Sequence, residues 1–237
     1  MSPMARSHHH KESHRSGRTN WLRAAVLGSN DAIVSTAGLM IGVTASQAPK
    51  EAILVAGVAG MVAGALSMAA GEYVSVSSQS DAERADIEKE KHELEHSPEM
   101  ELQELTAIYH KRGLTKELAT EVARQLTAHD PLGAHLRDEL GIEAVSKANP
   151  WQAAWVSAVS FVAFALLPIA FLFIAPEAHR LPVLIAASLT SLLILGALGA
   201  HLSGAPRLKA TLRVVLGGAF AMLTSAAIGK LLGVAIS

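Results

Sequence analysis

Residues 52–76 read AILVAGVAGMVAGALSMAAGEYVSV, and residues 77–96 continue as SSQSDAERADIEKEKHELEH. The first stretch carries no Lys or Arg and a single acidic residue, Glu72. A helix rising 1.5 Å per residue needs about 20 mostly apolar residues to cross the hydrocarbon layer, so residues 52–76 predict a membrane span. The second stretch is dense in charge and reads, over 80–95, as a continuation of the same helix into water. One helix therefore sets the plan of the chain, a membrane protein with a soluble helical part attached.

Four more segments have the length and hydropathy of spans: residues 22–45, 151–174, 181–202 and 212–236. The turns between the last three carry Pro and Gly, as helix breaks should. Half of the residues are hydrophobic yet only 4% are aromatic. Gly, Ala and Ser are abundant, and such small residues let helices approach closely in lipid. Cysteine is absent, which excludes disulfides and thiolate metal sites. A bound metal must use carboxylate, imidazole, thioether or backbone oxygen.

The distribution of Lys and Arg orients the spans. Arg6, Lys11, Arg15, Arg18 and Arg23 lie in the N-terminal arm, and Arg207, Lys209 and Arg213 lie between the fourth and fifth spans. The loops after the first and third spans carry only Lys50 and Arg180. This pattern places the N-terminus and residues 77–149 in the cytoplasm and the C-terminus outside. The first twenty residues have no apolar core followed by a cleavage site, so they do not read as a secretory signal. They read as a disordered basic arm in which His8, His9 and His10 form a short histidine run. With no organelle signal evident, the expected location is the cytoplasmic membrane of a bacterial cell.

The soluble part, 77–149, holds three to four helices. Pro98 stands at the start of a helix over 99–111, with Leu102, Leu105 and Ile108 at helical spacing, and Gly113 ends it. Thr115 opens a second helix reaching about residue 128, and a short third covers 131–140 before Gly141. The resulting layout is an arm at 1–20, spans at 21–76, an acidic helical insert at 77–149 and spans at 150–237.

An ionisable side chain near the centre of a span costs at least about 2.5 kcal/mol on insertion scales and marks function by default. Asp31 lies nine residues beyond Leu22, about 13 Å into the layer at helical rise. Ser35, Gly38 and Gly42 follow it along a narrow face of small residues. Gly60, Gly64, Met68 and Glu72 recur every fourth residue along the second span. Met68 sits about 12 Å above that span's cytoplasmic end. Because the two spans run antiparallel, Asp31 and Met68 fall at nearly one depth, and a carboxylate and a thioether can face one passage. Glu72 falls one turn nearer the cytoplasm, at its entrance. For Met68 the competing reading is packing, and for Glu72 it is snorkelling to the interface.

In the insert, Glu90 and Glu93 share a helix face at a spacing of three, and Glu101 and Glu104 repeat that spacing after the turn at Ser97 and Pro98. His135 and Glu139, four apart, add an imidazole and a carboxylate. Spacing alone leaves two readings open, a divalent-ion site or a solvated acidic surface. Glu93 and His96 make one Glu-x-x-His pair, whereas a di-iron oxidase needs two, so a ferroxidase is the weaker alternative. No phosphate-binding glycine loop, nucleophile elbow or His-Glu-x-x-His motif occurs.

Two stretches, GSNDAIVSTAGL (28–39) and SMAAGEYVSVSSQ (67–79), strongly resemble the vacuolar iron transporter family. The Glu-rich insert and the order of five spans resemble it too, so the likeness extends over residues 20–237. The resemblance implies a homodimer that exports Fe²⁺, and often Mn²⁺, from the cytoplasm against a counterflow of protons. It implies that Asp31 and Met68 line a translocation path between protomers. It also implies a cytoplasmic metal-binding domain using Glu90, Glu93, Glu101, Glu104 and Glu139. The chain departs from the family pattern in two places. His135 and Leu136 stand where a eukaryotic member has a methionine pair, with His135 able to coordinate. Ala32 stands where glycine commonly follows the aspartate.

The expected protein is therefore an all-α membrane protein of five transmembrane helices, with a cytoplasmic three- to four-helix insert between the second and third. Its expected partners are a second copy of itself, the lipid bilayer, divalent metal ions and protons. Nucleic acid is not among them, and no cofactor is expected to stay bound. A membrane-anchored metal-binding or sensing protein without transport is the alternative in a different class.

Overall fold

The computed structural model describes residues 19–142 and 149–236, and all its regular structure among them is helical. The N-terminal arm with His8 to His10 lies outside the described residues. The helices are α1 (Thr19–Ala45), α2 (Lys50–His96), α3 (Pro98–Lys111), α4 (Lys116–His129), α5 (Pro131–Asp138), α6 (Pro150–Ile174), α7 (Arg180–Ser203) and α8 (Arg207–Ile236). A short 3-10 turn, Glu177–His179, precedes α7. Helices α1, α2, α6, α7 and α8 are long and apolar enough to cross a membrane. The chain is an all-α membrane protein. It divides into two compact units, one running to Tyr73 and resuming at Trp151, the other Val74–Pro150.

In the first unit α1 packs against both α7 and α8, which also pack on each other. Its core gathers Ile33, Met40 and Ile41 of α1 with Ile53, Leu172, Leu184, Leu192 and Met222. A second cluster joins Ala32 and Ala65 to Phe161 and Ala165 of α6. Small residues make these approaches possible. A Cβ on Gly229 would collide with the backbone of Gly42, and one on Gly64 with the Phe161 ring. In lipid, helix association depends on such close packing rather than on removing apolar surface from water.

The outer surface of this unit is apolar, with Val55, Leu66, Ile174, Phe220 and Leu223 each exposed. An area of this kind on a soluble monomer would be a liability; against acyl chains it is the solvent-facing surface. Some hydroxyls within the spans bond back to their own helix, as Ser29 does to the Ala25 carbonyl at 2.7 Å and Thr44 to that of Met40 at 2.6 Å. A polar group that finds no water must be satisfied internally. Trp151 and Trp155 are exposed at the start of α6, and Tyr73 packs against Trp151 in a tilted arrangement, ring centroids 4.9 Å apart. Amphipathic aromatics at a helix end suit the membrane–water interface.

The second unit is a small helical cluster centred on Leu105, Ala123 and Ala134, with Leu102, Tyr109 and Leu126 packed around them. Its helix ends carry local signals. Thr115 caps α4 by accepting the Leu118 amide, and Asp130 caps α5 by accepting the Gly133 amide at 3.0 Å. Pro98 and Pro131 occupy the first turns of α3 and α5, where the missing N–H costs nothing. Gly113, with φ 104°, takes the positive dihedral that turns the chain after α3.

Candidate metal sites

Helices α1 and α2 form the first site. Along α1, Leu27, Asp31, Ser35 and Leu39 recur at helical spacing and line one side of a groove of about 440 Å³. Along α2, Gly60, Gly64, Ser67, Met68, Gly71 and Glu72 line the other. Gly71 leaves open space in it, since a Cβ there would meet nothing within 4 Å. Asp31 is half-buried, and no side-chain hydrogen bond or ion pair reaches its carboxylate among the described residues. The nearby Ser35 hydroxyl donates instead to the Asp31 backbone carbonyl, at 2.6 Å. Glu72 is buried in the same groove, and Met68 also packs against the cluster around Phe161. The groove thus offers two carboxylates and a thioether. Hard oxygen ligands bind any divalent cation, and a thioether shifts preference toward a transition ion.

The second site lies wholly within the Val74–Pro150 unit. Glu90 of α2, Glu101 of α3, and His135 and Glu139 of and just beyond α5 bring one ligand atom each within 4.8 Å of one another. His135 is fully buried at their centre. Its Nδ1 stands 3.0 Å from Glu90, 3.0 Å from Glu139 and 3.7 Å from Glu101. Burial pushes the Glu90 carboxyl up to about 7, reinforced by the charge of Glu139 and opposed by His135. Burial likewise raises Glu101, against the pull of His135 and with Glu104, Glu93 and Glu139 adding repulsion. Three carboxylates around one imidazole nitrogen supply more acceptors than it has protons, and a divalent cation balances that excess.

The sequence-derived ligands do not all converge. Glu93 is drawn into an ion pair with Lys89, 3.3 Å away on its own helix. Glu104 is exposed. Both act on the cluster as neighbouring negative charges rather than as members of the group of four. One set of residues beside the site has no local sequence signal. Asp138 accepts hydrogen bonds from the Tyr109 hydroxyl at 2.6 Å, from Arg112 and from Arg137. This latch ties α5, which carries His135, to α3. Arg112 and Tyr109 are 26 and 29 residues away along the chain, and only the folded arrangement brings them to Asp138.

Comparison with known proteins covers nearly the whole chain. A sequence profile of the VIT family matches residues 22–230. The chain is 47% identical over 223 residues to a vacuolar iron transporter of Acanthamoeba castellanii, covering 93% of this chain and 82% of that protein. It is 37% identical to VIT-like transporter 1b of Glycine max, covering 91% of this chain and 78% of that protein. Vacuolar iron transporter homolog 2 of Arabidopsis thaliana is 36% identical, with 92% and 87% covered.

Proposed function

This chain belongs to the VIT family and is a transporter rather than an enzyme, and on that premise we propose that it exports Fe²⁺, and with it Mn²⁺, from the cytoplasm in exchange for protons. The observation that carries this reading is the carboxylate of Asp31, unpartnered among the described residues, sharing a groove with Met68 and Glu72 on two membrane-spanning helices. A helix that merely anchors a domain has no use for such a stripe, given what an intramembrane carboxylate costs.

In the proposed cycle the insert captures the ion on Glu90, Glu101, His135 and Glu139, with Glu93 and Glu104 raising the local negative charge. The ion then passes to Glu72, Met68 and Asp31. Carboxylate ligands bind metal only when deprotonated, so a proton arriving at Asp31 from the far side releases the ion and couples the two flows. We place the insert and N-terminus in the cytoplasm of a cell whose cytoplasmic membrane holds the protein. The functional unit is a homodimer with the path between protomers, and no cofactor stays bound.

The test is flux in proteoliposomes with an imposed pH gradient. Uptake of Fe²⁺ into inverted vesicles is expected to fall to the protein-free background in Asp31→Ala and in Met68→Ala. Undiminished uptake in both variants would overturn the path. Metal binding with no flux in the unsubstituted protein would instead make it an anchored sensor.

A further inference from the structure

Apart from the four-residue cluster, two imidazoles stand side by side on α2. His92 and His96 are four residues apart, both are exposed, and their ring centroids are 3.9 Å apart. Nδ1 of His96 lies 2.8 Å from the backbone carbonyl oxygen of His92. A carbonyl only accepts, so this nitrogen carries the proton and Nε2 of the neutral ring keeps its lone pair. Metal-ligating histidines are commonly held in this way, the second nitrogen tied to a carbonyl so that the first is free and oriented. Among the described residues no hydrogen bond or ion pair engages the ring of His92.

We infer that His92 and His96 form a second, solvent-exposed metal site, a two-imidazole chelate for a transition divalent ion such as Co²⁺, Ni²⁺ or Zn²⁺, completed by water. Residues four apart on a helix share a face, and two histidines at that spacing can grip one ion. The exposed ring of His92 turns toward Nε2 of His96 by rotamer change, while the His96 ring keeps its bond to the His92 carbonyl. The nearby cations are already engaged, Lys89 by Glu93 at 3.3 Å and Lys91 by Glu88 at 3.4 Å.

The chemistry of this pair differs from that of the buried cluster. Mg²⁺ and Ca²⁺ take oxygen ligands, so an all-nitrogen pair passes them over. Among first-row ions it binds Mn²⁺ most weakly and Co²⁺, Ni²⁺ and Zn²⁺ more tightly, following the usual affinity order. The oxygen-rich cluster of Glu90, Glu101, His135 and Glu139 accepts Mn²⁺ readily. The insert therefore carries a nitrogen site selective for the later transition ions beside an oxygen-rich site that is not.

The test is metal stoichiometry by equilibrium dialysis on the full chain in detergent, with His8, His9 and His10 replaced by Ala so that the N-terminal run does not compete. One Co²⁺ per chain is expected to disappear in His92→Ala and equally in His96→Ala, with Mn²⁺ binding unchanged. Glu90→Gln should do the reverse, weakening Mn²⁺ binding and sparing the surface Co²⁺. Retention of full Co²⁺ stoichiometry in either histidine variant would overturn the site, and so would loss of Mn²⁺ binding along with it. An independent readout needs no substitution in the pair: substoichiometric Co²⁺ should perturb the His92 and His96 ring signals together in nuclear magnetic resonance spectra. Signals that stay put would overturn the site. Because both readouts are of binding, they are separate from any result on flux.

Discussion

Nδ1 of His135 lies 3.0 Å from Oε1 of Glu90, yet that carboxylate oxygen accepts no hydrogen bond. The nitrogen is in hydrogen-bonding geometry with Glu139 instead, also at 3.0 Å. Glu101 stands farther off, at 3.7 Å. A buried acceptor without a donor is costly, and a divalent cation among the four residues would satisfy these oxygens together. Removing one ligand should weaken Mn²⁺ binding at least as much as the roughly 10–100-fold typical of losing an outer-shell partner. Calorimetric titration of His135→Ala and Glu101→Gln, with their helical content checked, would measure this.

The pH dependence follows from Glu90, whose carboxyl burial holds up to about 7. A metal ion must displace that proton, so Mn²⁺ affinity should rise as pH increases through 7 and binding should release protons. Stability of the metal-free protein runs the other way. Between the unfolded value of 4.5 and about 7 the folded state binds the extra proton, so stability falls as pH rises through that window. Added Mn²⁺ should restore it above pH 7, since a ligand that binds only the folded state stabilises it. Thermal unfolding with chelator or with Mn²⁺, across that range, tests both signs.

Asp138 behaves oppositely. Burial alone would raise its carboxyl, but hydrogen bonds from Tyr109, Arg112 and Arg137 outweigh that and hold it at about 2. Its contribution is present above the unfolded value of 3.8 and is lost as pH falls from there toward 2. Arg112 and Arg137 are about half exposed, 47% and 51%, so solvent screens part of an effect worth at most about 2 kcal/mol. Asp138→Asn should therefore destabilise the insert by about 1–2 kcal/mol, the low end of what hydrogen bonds to a charged group contribute once solvent screening is allowed for. It should also weaken Mn²⁺ binding, because α5 holds His135. Unchanged Mn²⁺ affinity in a folded Asp138→Asn protein would show that α5 is held without the latch.

Two glycines in the membrane groove should respond differently to substitution. A Cβ on Gly64 meets the buried ring of Phe161, so Gly64→Ala overpacks the contact between α2 and α6. The expected cost is about 1–3 kcal/mol, read as a lower unfolding temperature in detergent. A Cβ on Gly71 meets nothing within 4 Å, so Gly71→Leu should fold normally while filling the groove. Flux in proteoliposomes should then drop with no loss of thermal stability.

The reach of sequence reasoning differed between the two sites. Helical rise is constant, so counting residues from the span ends leads to the expectation that Asp31 and Met68 share one depth; in the structure both line one groove. Local chemistry also marked many helix ends, including Pro98, Thr115 and Pro131. The acidic pairs were less legible. A spacing of three says that Glu90 and Glu93 share a face, but not which of them turns inward. One member of each pair, Glu90 and Glu101, joins the cluster, while Glu93 is held by Lys89.

By itself the sequence determined the five apolar helices, the long helix that leaves the spans as a charged rod, and the small residues that let α1 pack closely. Those properties depend on hydropathy, propensity and side-chain volume, which each residue brings with it wherever it stands. Only the tertiary structure decided that His135 sits fully buried among Glu90, Glu101 and Glu139, and that Tyr109 and Arg112 secure Asp138 beside it. Those relationships join residues far apart in the chain. They exist because packing α3, α4 and α5 around Leu105 and Ala123 fixes positions that no local pattern encodes.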